Sequence, residues 1–275
     1  MIPLVGTRKS KLALAYTAQA QEQIPFQTNT ILIDSTADLN PTIAIEEMGG
    51  KGVFSKEIEQ SLIDGNIDLA VHAFKDLTRD NEEHLHIPCV VPRNDYHDCL
   101  VGNHINPRTI GTSSPRRIYQ LRELYPRAEI IPIRGNIDTR INKQENGEYD
   151  AICLAKAGLD ALGLENKISK VFGTADMLPA PGQGVIAIQT RINDYISKTL
   201  SNVNHWKTWY ECMAEMEMLR EIDGDCQTPI GVLTHTDNGK IFMVAKNFET
   251  DKIAYVNGPI KEYQSIGSKA GLKLL

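Results

Sequence analysis

Five short runs set arginine or lysine beside glycine, serine or aspartate: Thr7-Arg8-Lys9-Ser10, Gly49-Gly50-Lys51-Gly52, Lys75-Asp76, Gly111-Thr112-Ser113-Ser114-Pro115-Arg116-Arg117, and Arg134-Gly135-Asn136 running on to Arg140. A sixth run, Asp223-Gly224-Asp225-Cys226-Gln227-Thr228-Pro229-Ile230-Gly231, puts one thiol on a constrained turn. Arginine forks match carboxylates two bonds at a time. Turns that open helices add unpaired N–H groups and the positive end of the helix dipole. Together these residues suggest an enzyme that grips a polyanionic organic molecule and tethers something through sulfur.

The run from Gly111 to Arg117 is the strongest anion signal. Ser114 and Pro115 read as N-cap and first helical residue, and Thr112, Ser113 and Ser114 supply hydroxyls next to Arg116 and Arg117. Its bland alternative is a well-capped helix with solvated arginines. Arg134 sits where a strand gives way to a helix, the side of an α/β domain on which ligands bind; a solvated turn explains it equally well. Asp76 leaves the apolar run Leu69 to Ala73, where a carboxylate can do chemistry or cap a turn. Gly49-Gly50-Lys51-Gly52 lacks the spacing of a phosphate loop and reads as a hinge. His72 reads as a packing residue, and His84 and His86 lie in a polar loop. No cluster of ligands completes a metal site.

The elements that must position these groups alternate. Strands are expected over Ile2 to Val5, Thr30 to Ile33, Leu69 to Ala73, Asp98 to Gly102, Ile110-Gly111, Glu129 to Ile133, Ala151 to Leu154 and Val185 to Gln189. Helices are expected over Ser10 to Gln23, Ser55 to Ile63, from Ser114 through Tyr125, Ile137 to Asn146, Gly158 to Leu164, Asn193 to Asn204 and Trp206 to Arg220. Turn formers break the pattern at 91–95 and at 179–184. After them come three alternating strands, Val232 to Thr236, Phe242 to Lys246 and Ala254 to Val256, and a helix from Glu262 to Leu274. The fold class expected is α/β, two lobes with a smaller C-terminal α+β domain. Domain 1 takes residues 1–92 plus 185–203, domain 2 residues 95–181 and domain 3 residues 205–275, with a ligand cleft between the lobes. The stretch from Asp38 to Gly52, with Pro41 and three glycines, is a candidate lid.

Composition narrows the class. A chain of 275 residues holds two or three domains. The net charge of −6 argues against nucleic acid as the main partner. Charge is uneven, however: 108–140 holds seven arginines against Glu123, Glu129 and Asp138, or +4. Five cysteines without a C-x-x-C pair argue against a disulfide framework or zinc. Cys153, in an apolar strand, reads as a small hydrophobe. No run spans a bilayer and no secretion signal is apparent, so a cytoplasmic protein is expected.

Taken in order, these pieces resemble the porphobilinogen deaminase (hydroxymethylbilane synthase) family. The match includes Thr7-Arg8-Lys9-Ser10 with Leu12-Ala13, Gly49-Gly50-Lys51-Gly52, Val71-His72 with Lys75-Asp76, and Gly111 to Ser114 with Arg116-Arg117. It continues through Arg134-Gly135-Asn136 with Thr139-Arg140, Gly147 to Ala151, Pro181-Gly182-Gln183-Gly184, and Cys226-Gln227 with Pro229-Ile230-Gly231. The resemblance covers nearly the whole chain. The chain departs from the family pattern at Tyr16, Ala37, Ala73, Phe74, Met216 and Asp225.

The resemblance implies two lobes like those of periplasmic binding proteins. It also implies a dipyrromethane cofactor joined by a thioether to Cys226, and a monomer. The implied reaction adds four porphobilinogen units head to tail with loss of ammonia, then releases hydroxymethylbilane. Each unit carries an acetate and a propionate, which would explain Arg8, Lys51, Lys75, Arg116, Arg117, Arg134 and Arg140. Ser10, Thr112, Ser113, Ser114 and Gln183 would add hydrogen bonds. Loss of ammonia leaves a cationic azafulvene, which a carboxylate at Asp76 would steady. Two competing readings are a non-catalytic two-lobed binder of an organic polyanion, which leaves Asp76 and Cys226 unexplained, and a regulator's effector domain, which lacks a DNA-binding segment.

Overall fold

The computed structural model describes residues 1–39, 52–77, 83–225 and 227–275. They fall into two compact units, Met1–Asn94 with Val185–Trp209, and Asp95–Gly184 with Tyr210–Leu275.

The first unit opens with β1 (Leu4–Arg8), α1 (Lys11–Gln23), β2 (Asn29–Ile33), the single turn α2 (Thr36–Leu39), α3 (Lys56–Ile63), β3 (Leu69–Ala73), a 3-10 turn at Phe74–Asp76 and β4 (Leu85–Val90). Helix α1 starts where the sequence says it should: the Ser10 hydroxyl accepts from the Ala13 N–H at 3.2 Å. Strand β3 is apolar except for His72 because it lies inside its sheet and is covered on both faces. Strand β2, by contrast, is an exposed edge.

The chain then builds the sheet of the second unit. Its elements are β5 (Asp98–Gly102), β6 (Thr109–Gly111), α4 (Pro115–Leu124), β7 (Glu129–Ile131), α5 (Ile137–Glu145), β8 (Ala151–Ala155), α6 (Lys156–Ala161) and β9 (Ile168–Val171). Next, β10 (Ile186–Arg191) returns to the first sheet, and α7 (Tyr195–Ser201) follows it. Helix α8 (Trp206–Glu221) leads to the meander β11 (Ile230–Asp237), β12 (Lys240–Asn247) and β13 (Ile253–Pro259), and α9 (Tyr263–Leu274) ends the chain.

The two five-stranded sheets have one order, β2-β1-β3-β10-β4 and β7-β6-β8-β5-β9. In each, three parallel strands are joined by a fourth that runs antiparallel, β10 in the first sheet and β5 in the second. The first core gathers Ile58, Leu62, Ile67 and Ala70; the second sheet buries Leu100, Ile110 and Leu121 on one side and Val101, Ile133 and Ile152 on the other. The C-terminal part packs α8 and α9 on the meander through Met218, Val232, Ile241, Met243 and Ile266. Gly267 and Gly271 let α9 approach α8 closely: a Cβ on Gly267 would lie 2.4 Å from the Ala214 carbonyl oxygen. The α/β expectation holds, with a smaller helix-and-sheet part at the C-terminus. Two strands were not foreseen, β4 and β9. His86, expected in a loop, belongs to β4, where its Nε2 meets the Ser197 hydroxyl of α7.

Candidate active site

In the first unit, the parallel strands β1 and β3 are neighbours, with Val5 opposite Leu69 and Gly6 opposite Ala70. Their carboxyl ends therefore emerge on one edge of the sheet, which is where α/β folds place ligands. Arg8 ends β1, Ser10 caps α1, and Lys75 and Asp76 lie in the turn after β3. Asp76 is half-buried, and among the described residues nothing hydrogen-bonds to its carboxylate. Arg8 is engaged: Nε and Nη2 donate to Asp38 Oδ2 and Oδ1 at 2.9 and 2.6 Å, and the guanidinium lies 4.8 Å above the Phe54 ring. Burial alone would raise the Asp38 pKa, but Arg8 and Ser35 together hold it below the usual carboxylate value. Lys51 lies outside the described residues, as does most of the stretch expected to form a lid.

In the second unit, β6 and β7 run parallel while β5 runs antiparallel to β8. The first residue of β5, Asp98, consequently lies on the edge where β6 and β8 end. Asp98 is 0% exposed and gathers both arginines of α4. Arg116 donates from Nη1 and Nη2 at 2.6 and 3.0 Å. Arg117 donates from Nε at 2.8 Å, and its Nη2 lies 2.6 Å from Oδ1. Burial would push the Asp98 pKa up; the two guanidiniums instead hold it far below the ordinary range.

This arrangement brings three of the expected binding residues together around one carboxylate. Arg116 and Arg117, at 3% and 7% exposure, share a buried carboxylate. Gln183, expected at the ligand, is fully buried: Nε2 donates to the Tyr96 carbonyl and to Asp98, and Oε1 accepts from Arg116. Twin buried cations need an anion, and Asp98 is that anion. Two charges of +1 against one of −1 still leave the cluster at +1.

The hydroxyl run divides by role. Thr112 is buried and accepts from the Ser114 N–H at 3.2 Å. Ser113 Oγ is committed to Ile133, donating to its carbonyl at 2.8 Å and accepting from its N–H at 3.1 Å. Ser114 starts α4 without a side-chain cap bond, and among the described residues its hydroxyl has no partner. After β7 the chain turns at Gly135, whose φ of +112° suits glycine. Arg140 Nε donates to the Gly135 carbonyl at 2.7 Å, bracing that turn. Arg134, half-buried just before it, has no guanidinium partner among the described residues. The helix start, Ser114 and Arg134 thus form a corner with uncommitted donors.

Sequence reasoning missed Asp38 and Asp98. A signal existed for the second: a carboxylate that opens an apolar strand must find a cation, and this chain has a double arginine nearby. Cys226 lies outside the described residues; Cys89, Cys99, Cys153 and Cys212 are buried and not joined in disulfides. Among the described residues no group of His, Cys, Asp or Glu could hold a metal ion, and no helix is long and apolar enough to cross a membrane.

Residues 4–199 match the family model for the porphobilinogen deaminase dipyromethane cofactor binding domain, and residues 209–275 match the porphobilinogen deaminase C-terminal domain. A porphobilinogen deaminase of Ehrlichia canis is 39% identical over 253 residues, covering 87% of this chain and 85% of that protein. One from Acetivibrio thermocellus is 38% identical over 287 residues, covering 96% and 92%. Among solved structures, substrate binding domain 2 of Lactococcus lactis GlnP in its open conformation aligns with 74% of this chain and 87% of its own, at 11% identity and a TM-score of 0.45. Two family models matched in order, with relatives at this identity over most of their length, establish that the chain belongs to the porphobilinogen deaminase family.

Proposed function

We propose that the chain is a transferase that joins four porphobilinogen molecules head to tail, with loss of ammonia each time, onto a dipyrromethane primer held by a thioether to Cys226, and that it then releases hydroxymethylbilane. The observation that carries this reading is an unengaged, half-buried Asp76 at one sheet edge, in a chain of this family that also has surplus positive charge at the matching edge of its second sheet.

The residues present fit a dipyrromethane group. Each of its rings carries two carboxylates. Arg116 Nε is a buried donor without an acceptor, the cluster around it has one positive charge in excess, and Ser114 and Arg134 lack partners among the described residues. Arg134, Ser114 and the first N–H groups of α4 would hold acidic side chains of the primer, within the field of Arg116 and Arg117. Thr112, Ser113, Arg140 and Gln183 act one layer back by fixing that corner. Arg8, Ser10, Lys51 and Lys75 would receive the carboxylates of the incoming and growing units. When bound, the primer supplies a fixed pyrrole end to which the first unit is joined.

Asp76 performs this chain's own chemistry. Its carboxylate faces the pyrrole N–H of the substrate and offsets the positive charge that develops as ammonia leaves the aminomethyl carbon. Once the new carbon–carbon bond has formed, the displaced ring proton passes to Asp76 or through it to water. Cys226 does none of the repeated steps; it anchors. The division into three domains, at 1–92 with 185–203, 95–181 and 205–275, a monomeric state and a cytoplasmic location belong to the same reading.

The test is intact mass. Protein from a host unable to make porphobilinogen, then supplied with it, will gain the mass of two units less two ammonia, and Cys226→Ser protein will not. Wild-type protein that never gains mass refutes the reading.

A further inference from the structure

We propose that Asp98 is a permanent pivot for Arg116 and Arg117, a positioning residue for the reaction, and not a stand-in that a ligand carboxylate displaces. The inference rests on the reading of the site given under Proposed function. Successive residues of a helix point about 100° apart, so Arg116 and Arg117 meet at one spot only because a common anchor draws them there. That anchor does not swing away. Asp98 is 0% exposed; its backbone is held opposite Ala155 on one side, and on the other its carbonyl accepts from the Phe172 N–H at 2.9 Å. Its carboxylate is engaged by three side chains at once, with Gln183 Nε2 at 3.1 Å joining the two guanidiniums.

The engagement divides the pair. All three nitrogens of Arg117 are used, Nε and Nη2 on Asp98 and Nη1 on the Cys153 carbonyl at 3.2 Å. Arg116 spends its Nη atoms on Asp98, the Leu178 carbonyl at 2.8 Å and Gln183 at 3.0 Å, and keeps an unpaired Nε. Arg117 is a strut, and the pair presents one net charge to a polyanion. The sign of the consequence is unusual. Removing Asp98 makes the corner more positive, yet it will load an anionic primer more slowly, because two like charges left buried side by side push the forks apart.

The test compares full-length wild type, Asp98→Asn and Asp98→Asn/Arg117→Gln, each made without porphobilinogen and then supplied with it, by intact mass against time and by thermal melting. Asp98→Asn will melt lower and load at least about tenfold more slowly. The double variant, back to one net charge, will recover melting temperature but not loading rate. A folded variant of either kind that loads at the wild-type rate overturns the proposal. Should neither variant fold, wild-type protein decides alone through Nε–H exchange of its labelled arginines. Arg117 will stay protected before and after loading; loss of that protection on loading means that Asp98 lets go, and the proposal fails. Wild type that does not load at all sinks the functional reading instead.

Discussion

Acidification from pH 7 to 5 will destabilise the protein through His72. The side chain lies on β3 at 6% exposure, with no partner for its Nε2. Burial pushes its pKa down from 6.5 to about 4; the charge of Arg8 acts in the same direction, and Gln189 opposes without cancelling. Between those values the unfolded chain binds a proton at this residue and the folded chain does not, so stability rises with pH across the window. The contribution is complete above pH 6.5 and is lost as the pH falls towards 4. A gap of about 2.5 in pH, at roughly 1.4 kcal/mol for each, amounts to about 3 kcal/mol, of which about 2 kcal/mol is gone by pH 5. Urea unfolding at pH 7, 6 and 5 reads this directly, with His72→Gln as the comparison. The variant will be less stable at pH 7 and will change less with pH, so the two unfolding free energies will converge by about 2 kcal/mol at pH 5. Carboxylates and the other histidines act on both proteins alike and drop out of the difference. Parallel pH profiles for the two proteins would refute the reasoning.

Asp76→Asn will slow single-turnover ammonia release by roughly a hundredfold or more, while the melting temperature stays at the wild-type value; near-normal release removes Asp76 from the chemistry. Gly267→Ala will destabilise by about 1–2 kcal/mol, the overpacking of α9 on α8 exceeding the roughly 1 kcal/mol gained in helix propensity. Gly173→Ala, with open space around the added Cβ, will be close to neutral, and equal melting temperatures for these two variants would argue against the close helix contact.

Much of the fold is legible in the chain because its central strands are apolar runs bounded by turns. The expected limits of β3 and β5 agree with the structure. The misses are edge strands. β4 carries His86 and Pro88, which look like loop residues, yet an edge strand tolerates both polar faces and a missing N–H. β9 mixes Ile168 and Val171 with Ser169 and Lys170, and its partner β5 is far away in sequence. At the site, the cations were visible and their partners were not. Arg8 and Asp38 are 30 residues apart, and Arg116 and Asp98 are 18 apart; no local pattern links them. Ser10 and Ser114 occupy equivalent positions before a helix, but only the first caps it with its hydroxyl. That difference depends on the side-chain rotamer and its surroundings, which spacing does not encode.

The insertion of β10 between β3 and β4 has a consequence for synthesis on the ribosome. When Val90 has been made, the strand that must join those two is still 96 residues from being started. At roughly 5–20 residues per second, the nascent first sheet waits about 5–20 s with two apolar strands unjoined. During that interval its open edges are available to chaperones or to neighbouring nascent chains, and a message truncated before Ile186 would leave them open for good.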